Sequence, residues 1–440
     1  MQNYFYELAD YLQSRIQGSE QFTCYFSAEV SDFVRFNRGA IRQPGYVRQI
    51  YLSLDLINGL RHVRQTFSLN GDFAADRQRL DRLVRDLRAI LPELPDDPHW
   101  QIATDRISTE HIIPSKLPDT RRIVEDVLAL AHAYDFVGIL ACGPIYRGFA
   151  NFYGQRNWHE TSSFNLDWSL YLNSDKAVKT VYAGFDWNSA EFSDKFQQAA
   201  AQLELLKRKP VTLKVGRYRA YLTPSALSEM IGMLNWGGFS EKSLQTKHSP
   251  LCKMRDEGLL LHPSLTLCEN IAEGVAPGFQ GMGYIKPERI NLIEQGRLVG
   301  SLVSPRTAKE YGITTNGADQ SEAMTSIDVA PGVIPTSEVL ATLGTGILIG
   351  NLWYLNFSDR THGRITGMTR FASFWVEDGE IKAPLNVMRF DDSLFRLLGS
   401  HLLGLTQERE FLLDSESYGQ RGTQSARLPG ALVQAMAFVL

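Results

Sequence analysis

His248, Cys252, His262 and Cys268 stand at H-x3-C and H-x5-C spacing, and these side-chain types hold zinc. Four such ligands would make a structural staple. The second pair, however, falls in LLLHPSLTLC, which reads as a strand that sets His262 and Cys268 far apart along one face. A domain this large needs no staple, so ordinary packing is the simpler expectation, with an enzyme built on these four residues as an alternative. His159 and Glu160, in NWHETSS, are adjacent as in metalloprotease helices. Ser163 and Phe164 stand where the second His would fall, so no catalytic role is expected of them. The third candidate is Glu229, a lone carboxylate in the apolar stretch LSEMIGMLNWGGFSEKS. After Thr223 and Pro224 it can be a first-turn acid favoured by the helix N-terminus.

Other chemistries lack their signatures. There is no G-x-S-x-G elbow and no P-loop. Gly344, Gly346 and Gly350 in LGTGILIG do not have the dinucleotide spacing, and no βαβ unit surrounds them. Close backbone packing explains them better.

The elements that must position these residues can be placed by periodicity. Phe5, Leu8, Leu12 and Ile16 recur at helical spacing. Residues 22–36, 46–57 and 61–69 read as strands, with a turn expected at QPGY between the first two. Residues 73–90 form a helix whose outer face carries five Arg and three Asp, a solvated face laced with local ion pairs. LPELPDDPHW reads as a linker or loop. A helix follows over 120–134, strands over 136–153 and 161–172, and a helix over 193–208 that Pro210 ends. Beyond it, LIEQGRLVG and WVEDGEIKA each carry a hairpin turn with Gly296 or Gly379 at positive φ. The fold class is therefore α+β. An N-terminal domain of helices on a mixed or antiparallel sheet spans residues 1–210. A mainly antiparallel β domain with a few helices spans 211–440.

Totals set further bounds. Of 440 residues, 44% are apolar and 21% charged, an ordinary globular balance. A net charge of −4 gives no general grip on nucleic acid. Four cysteines do not make a disulfide framework. The N-terminus reads as an amphipathic helix and not as a signal peptide. The apolar run Val339–Phe357 is broken by three Gly, two Thr and two Asn, and reads as a buried segment. A cytoplasmic protein with no membrane contact is the expectation.

The C-terminal half resembles the TldD/PmbA (TldD/TldE) zinc-metalloprotease family, once described as modulators of DNA gyrase. The resemblance rests on YRAYLTPSALSEMIGMLNWGGFSEKS, PGFQGMGYIKPERINLIEQGRLVGSLVSPRTAKEYG and LATLGTGILIGNLWYLNFSDRTHGRITGMTRFASFWVEDGEIKAPLNVMRF. In the first half it extends, more weakly, to SAEVSDFVRFNRGAIRQPGYVRQIYLSLD. In active members the helix carries H-E-x-x-x-H. Its two His, with a Cys near the C-terminus, hold zinc, and the Glu is general base. A five-residue His spacing implies a locally widened helix.

Carried onto this chain, the motif becomes S-E-M-I-G-M. Ser228 and Met233 stand at the His positions, Glu229 keeps the position of the base, and Tyr418 falls about where the Cys would lie. A hydroxyl and a thioether are poor ligands for zinc. The resemblance therefore implies the PmbA/TldE branch, with no metal in this chain and zinc in a TldD-like partner. It also implies a homodimer or a heterodimer with that partner, and an unfolded peptide as substrate. The alternative is a stand-alone homodimeric peptide-binding or scaffold protein without peptidase activity.

Overall fold

The computed structural model describes residues 1–173 and 176–439. Among these, the strands form two sheets, of seven and eleven strands, joined by short helices. The class is α+β, as the periodicity implies.

The first sheet contains β1 (Gln21–Asn37), β2 (Ala40–Asn58), β3 (Arg61–Leu69), β4 (Thr109–Ile112), β5 (Asp135–Asn151), β6 (Arg156–Asn173) and β7 (Lys176–Gly184). The order is β3-β2-β1-β5-β6, with β4 and β7 sharing the outer edge of β6. All pairs are antiparallel except β4 with β6. Helices α1 (Gln2–Gln13) and α2 (Phe73–Ile90) bury Phe5, Leu8, Leu80 and Leu87 against Phe22, Phe26, Leu52 and Leu54. Further along the strands, α3 (Thr120–Ala131) and α4 (Ser189–Leu205) cover Phe36, Phe136, Phe164 and Trp168.

The turn expected at QPGY lies elsewhere. The β1–β2 hairpin closes at Arg38 and Gly39, both at positive φ, and Pro44 sits inside β2 opposite Val34. Pro is tolerated there because β3 pairs with β2 only from Ile50 onward, leaving the earlier stretch an edge. Strands β4 and β7 were not anticipated: β4 is short, and the turn residues Asn173, Ser174 and Asp175 that precede β7 were not read as a hairpin signal.

The second sheet comprises β8 (Gly216–Leu222), β9 (Leu267–Asn270), β10 (Arg289–Glu294), β11 (Arg297–Leu298), β12 (Ser326–Val329), β13 (Gly346–Asp359), β14 (Arg364–Glu377), β15 (Glu380–Pro384), β16 (Arg389–Ser393), β17 (Leu402–Leu413) and β18 (Ser425–Phe438). Strands β8, β13, β14, β16 and β18 close on themselves, because β18 pairs with β8 as well as with β16. Helix α5 (Pro224–Asn235) packs on β13 and β18 of this ring. The short helices α6 (Glu241–Gln245), α7 (Cys252–Asp256), α8 (Pro305–Tyr311) and α9 (Val339–Leu343) complete the half. Both expected hairpins form with two residues at positive φ, Gln295–Gly296 and Asp378–Gly379. The apolar run Val339–Phe357 divides into α9 and most of β13, and among the described residues no helix is long and apolar enough to cross a membrane. All four cysteines are free thiols.

The two halves meet over a polar face. Asn157, His159, Thr161 and Ser163 alternate along β6 like a solvent face, yet all four are buried. The second half covers them. Gln155 donates to the Gly283 carbonyl at 2.7 Å, and Arg421 donates to the Ser163 carbonyl at 2.9 Å. Apart from the Thr161 hydroxyl, which has no partner among the described residues, these bonds fix how the covering segments lie.

Candidate functional site

Helix α5 starts where its sequence says it should. Thr223 caps the amide of Ala226, and Pro224 takes the first position, where no donor is needed. Seven of its residues are buried, which explains why it is apolar nearly all round. What remains open is a stripe of Ser225, Ser228, Glu229, Gly232 and, just past the end, Trp236.

The helix is regular from Pro224 to Asn235, with no widened turn. Two expectations are corrected by this. Glu229 lies in the second turn and not the first, so the helix N-terminus does not explain it. Met233 does not share a side with Ser228: five residues on a regular helix turn the side chain by about 140° away. Met233 is only 6% exposed and packs in the core of the second half. Nor does the tail bring a third group. Tyr418 is 98% exposed, and the hydrogen bonds of its loop run to the first sheet through Asn165 and Arg421. Ser228, Met233 and Tyr418 therefore do not fit a zinc ion.

Glu229 opens to solvent on the stripe, but protein walls surround it. Desolvation pushes its carboxyl up from the ordinary glutamate range, and the charge of Lys179 on β7 offsets part of this. A raised carboxyl favours folding while protonated, and this contribution is lost as pH rises through the folded value. Glu229→Gln is therefore expected to raise the melting temperature at pH 7 and leave it unchanged at pH 4. Thermal denaturation at the two pH values checks this; equal effects at both would refute the desolvation.

The His and Cys candidates are dispersed. His248 bonds Thr246, His262 bonds Ser264, and the Cys252 thiol faces the Leu244 carbonyl. The expected strand over LLLHPSLTLC begins only at Leu267, because the chain turns at Pro263 and Ser264. Among the described residues, no three or more His, Cys, Asp or Glu side chains are grouped to share a metal. His159 lies on β6 as a partnered buried group. Its Nε2–H donates to the Val275 carbonyl at 3.1 Å, so its Nδ1 accepts from His111 Nδ1 at 3.1 Å. Burial, then the neighbouring His111, pulls its pKa down to about 4, which keeps it neutral. Glu160 is on the opposite face of the same strand.

One candidate binding element escaped the sequence. Strand β13 pairs with β14 along its length, but β8 covers its other edge only at Ile347–Ile349. From Asn351 to Asp359 no backbone hydrogen bond among the described residues reaches that edge. Trp353 and Tyr354 stand there 47% and 76% exposed, with the Arg370 guanidinium 4.5 Å over the Trp353 ring. Arg360 lies over both Trp236, at the end of α5, and Phe357. The open stripe of α5 and an unpaired strand edge thus lie side by side. The only sequence signal was the run LWYLNF, which reads equally well as a buried strand.

Residues 215–439, just over half the chain, match the family described as PmbA/TldA metallopeptidase C-terminal domain. The chain belongs to the PmbA/TldD family. Solved structures share the whole fold. TldE from Thermococcus kodakarensis superposes with a TM-score of 0.76 at 14% identity, covering 99% of this chain and 100% of that one. A protein from Thermotoga maritima described as a modulator of a DNA gyrase gives 0.75 at 13%, over 99% of each chain. Another of that description, from Bacteroides thetaiotaomicron, gives 0.76 at 16%, over 98% and 97%. No curated protein matches the chain in sequence. At these identities the structures speak for the PmbA/TldD fold alone.

Proposed function

We propose that this chain is the non-metal, TldE-type subunit of a PmbA/TldD peptidase system. It holds unfolded peptide for cleavage by a zinc-bearing partner. The observation that supports this best is the pairing just described. A helix at the family's zinc position carries Ser228, Glu229 and a buried Met233, beside the strand edge Asn351–Asp359. An extended peptide added to that edge gains main-chain hydrogen bonds whatever its sequence. Glu229 is then the remnant of a general base without a metal. The same reading divides the chain into a unit over 1–210 and a unit over 211–440.

Co-expression with a TldD-like protein from the same source should give a mixed complex that contains zinc and degrades an unstructured peptide. The chain alone should leave that peptide intact. A self-associating chain that takes up no TldD-like partner would instead favour a stand-alone homodimeric scaffold.

A further inference from the structure

A cavity of about 400 Å³ opens where β8 ends and α5 begins. Gly350 of β13 and Ser225 of α5 form one lip, and α4 and β7 form the opposite wall with Gln198, Gln202, Lys195 and Lys179. Tyr221 lines it too. Its side chain is 6% exposed, and no side-chain hydrogen bond of the described residues uses its hydroxyl. A hydroxyl that makes no protein bond is free to donate to a ligand in the cavity. Gln198 and Gln202, exposed and half-buried, make no side-chain hydrogen bond among the described residues.

Two carboxylates also line the cavity, and both are engaged. Glu408 accepts from the amide and hydroxyl of Thr336, each at 2.8 Å. Glu410 pairs with Lys195 at 3.1 Å. Lys179 pairs with Asp167 at 3.0 Å. Each ammonium has three donors and spends one in these pairs, so both lysines keep donors for a ligand. The N-terminus of α5, twelve residues long, adds its positive end.

The open edge of β13 says which ligand this is. β8 blocks the edge at Ile349, so a strand added along Asn351–Asp359 must end there. Antiparallel pairing, the commoner geometry, points the added strand's C-terminus at this block. We propose that the cavity receives the C-terminal carboxylate of an extended peptide laid along β13. This rests on the peptide-binding reading above. Tyr221, Lys179 and Lys195 would donate to the carboxylate, in the manner of other free-terminus receptors. A parallel strand would bring an ammonium instead, which these donors repel.

Isothermal titration calorimetry on the full chain tests this with a short unstructured peptide of valine, serine and alanine in three forms. The free-acid form should bind about tenfold or more tightly than its C-terminal amide, the size of a lost charged hydrogen bond. Acetylating the N-terminus should change nothing. Tyr221→Phe and Lys195→Met should bring the free acid down to the amide's affinity, with the far-ultraviolet circular dichroism of each variant unchanged. Equal binding of acid and amide to the unmodified chain overturns the carboxylate inference and leaves the peptide reading standing. A preference set by the N-terminus overturns it as well, by reversing the strand. If neither form binds, both readings fall.

Discussion

Replacing Arg421 by methionine is expected to cost about 3–5 kcal/mol of stability, since several buried acceptors are left bare at about 1–3 kcal/mol each. Arg421 sits in the loop between β17 and β18 and is nearly inaccessible. Its guanidinium donates to the Gly143 carbonyl at 2.9 Å, and to the carbonyl and hydroxyl of Ser163 at 2.9 and 2.7 Å. Burial pulls it down to about 10, so it stays charged at neutral pH. Its own amide donates to Glu29, at 3.3 Å, so the loop is tied to β1, β5 and β6 together. Gly143 is shaped for this contact. Its φ of +135° turns the carbonyl toward Arg421, and a Cβ there would meet the Val30 carbonyl oxygen at 2.3 Å. Methionine fills the volume but leaves these acceptors bare. Arg421→Lys should recover little, because an ammonium cannot span the same acceptors in a fixed fork. Urea titration of both variants gives the answer, and a loss under about 1 kcal/mol would show that water can replace the guanidinium.

The second large effect concerns the α5 positions that the resemblance sets against a zinc motif. Restoring the family motif by Ser228→His with Met233→His is expected to bind no zinc. It should also destabilise the chain by about 1–3 kcal/mol, because the second imidazole enters an apolar core. Ser228→His with Gly232→His is the contrasting pair. These positions are four residues apart on the open stripe, and nothing lies within 4 Å of a Cβ at Gly232. Zinc should bind this pair, stabilising the fold by about 2.7 kcal/mol when roughly a hundredfold over its Kd. Glu229→Gln added to it should leave binding unchanged, since the carboxylate is not a ligand. Calorimetric zinc titration of the two double variants decides: uptake by the motif-restoring pair would mean that α5 can widen after all.

How much of this was legible in the sequence varies by the physics involved. Helices α1 to α4 declared themselves, because one apolar stripe on a long helix leaves little ambiguity. The two hairpins announced themselves through Gln295–Gly296 and Asp378–Gly379. Other features depend on what packs against a segment. The polar row Asn157 to Ser163 has the alternation of a wet face, and only the covering second half makes it interior. The motif S-E-M-I-G-M shows which ligand types are missing, whereas the direction of Met233 follows from the helix being regular, which no residue type in it dictates. The open edge of β13 is a fact about missing neighbours, and LWYLNF gives no sign of it.

Strand β18 pairs with β8, β12, β16 and β17, all of which precede it in the chain. As the polypeptide leaves the ribosome, β8 waits roughly two hundred residues for the neighbour that closes the ring, while every strand of the first sheet has already been made. Non-local pairing of this kind is slow and leaves strand edges exposed in the interim. The second half therefore assembles late and all at once, around the last strand made. A ribosome stalled or a message cut shortly before Ser425 would release a chain with its first sheet built and its second unclosed, a substrate for chaperones or proteases and not a weaker version of the native fold.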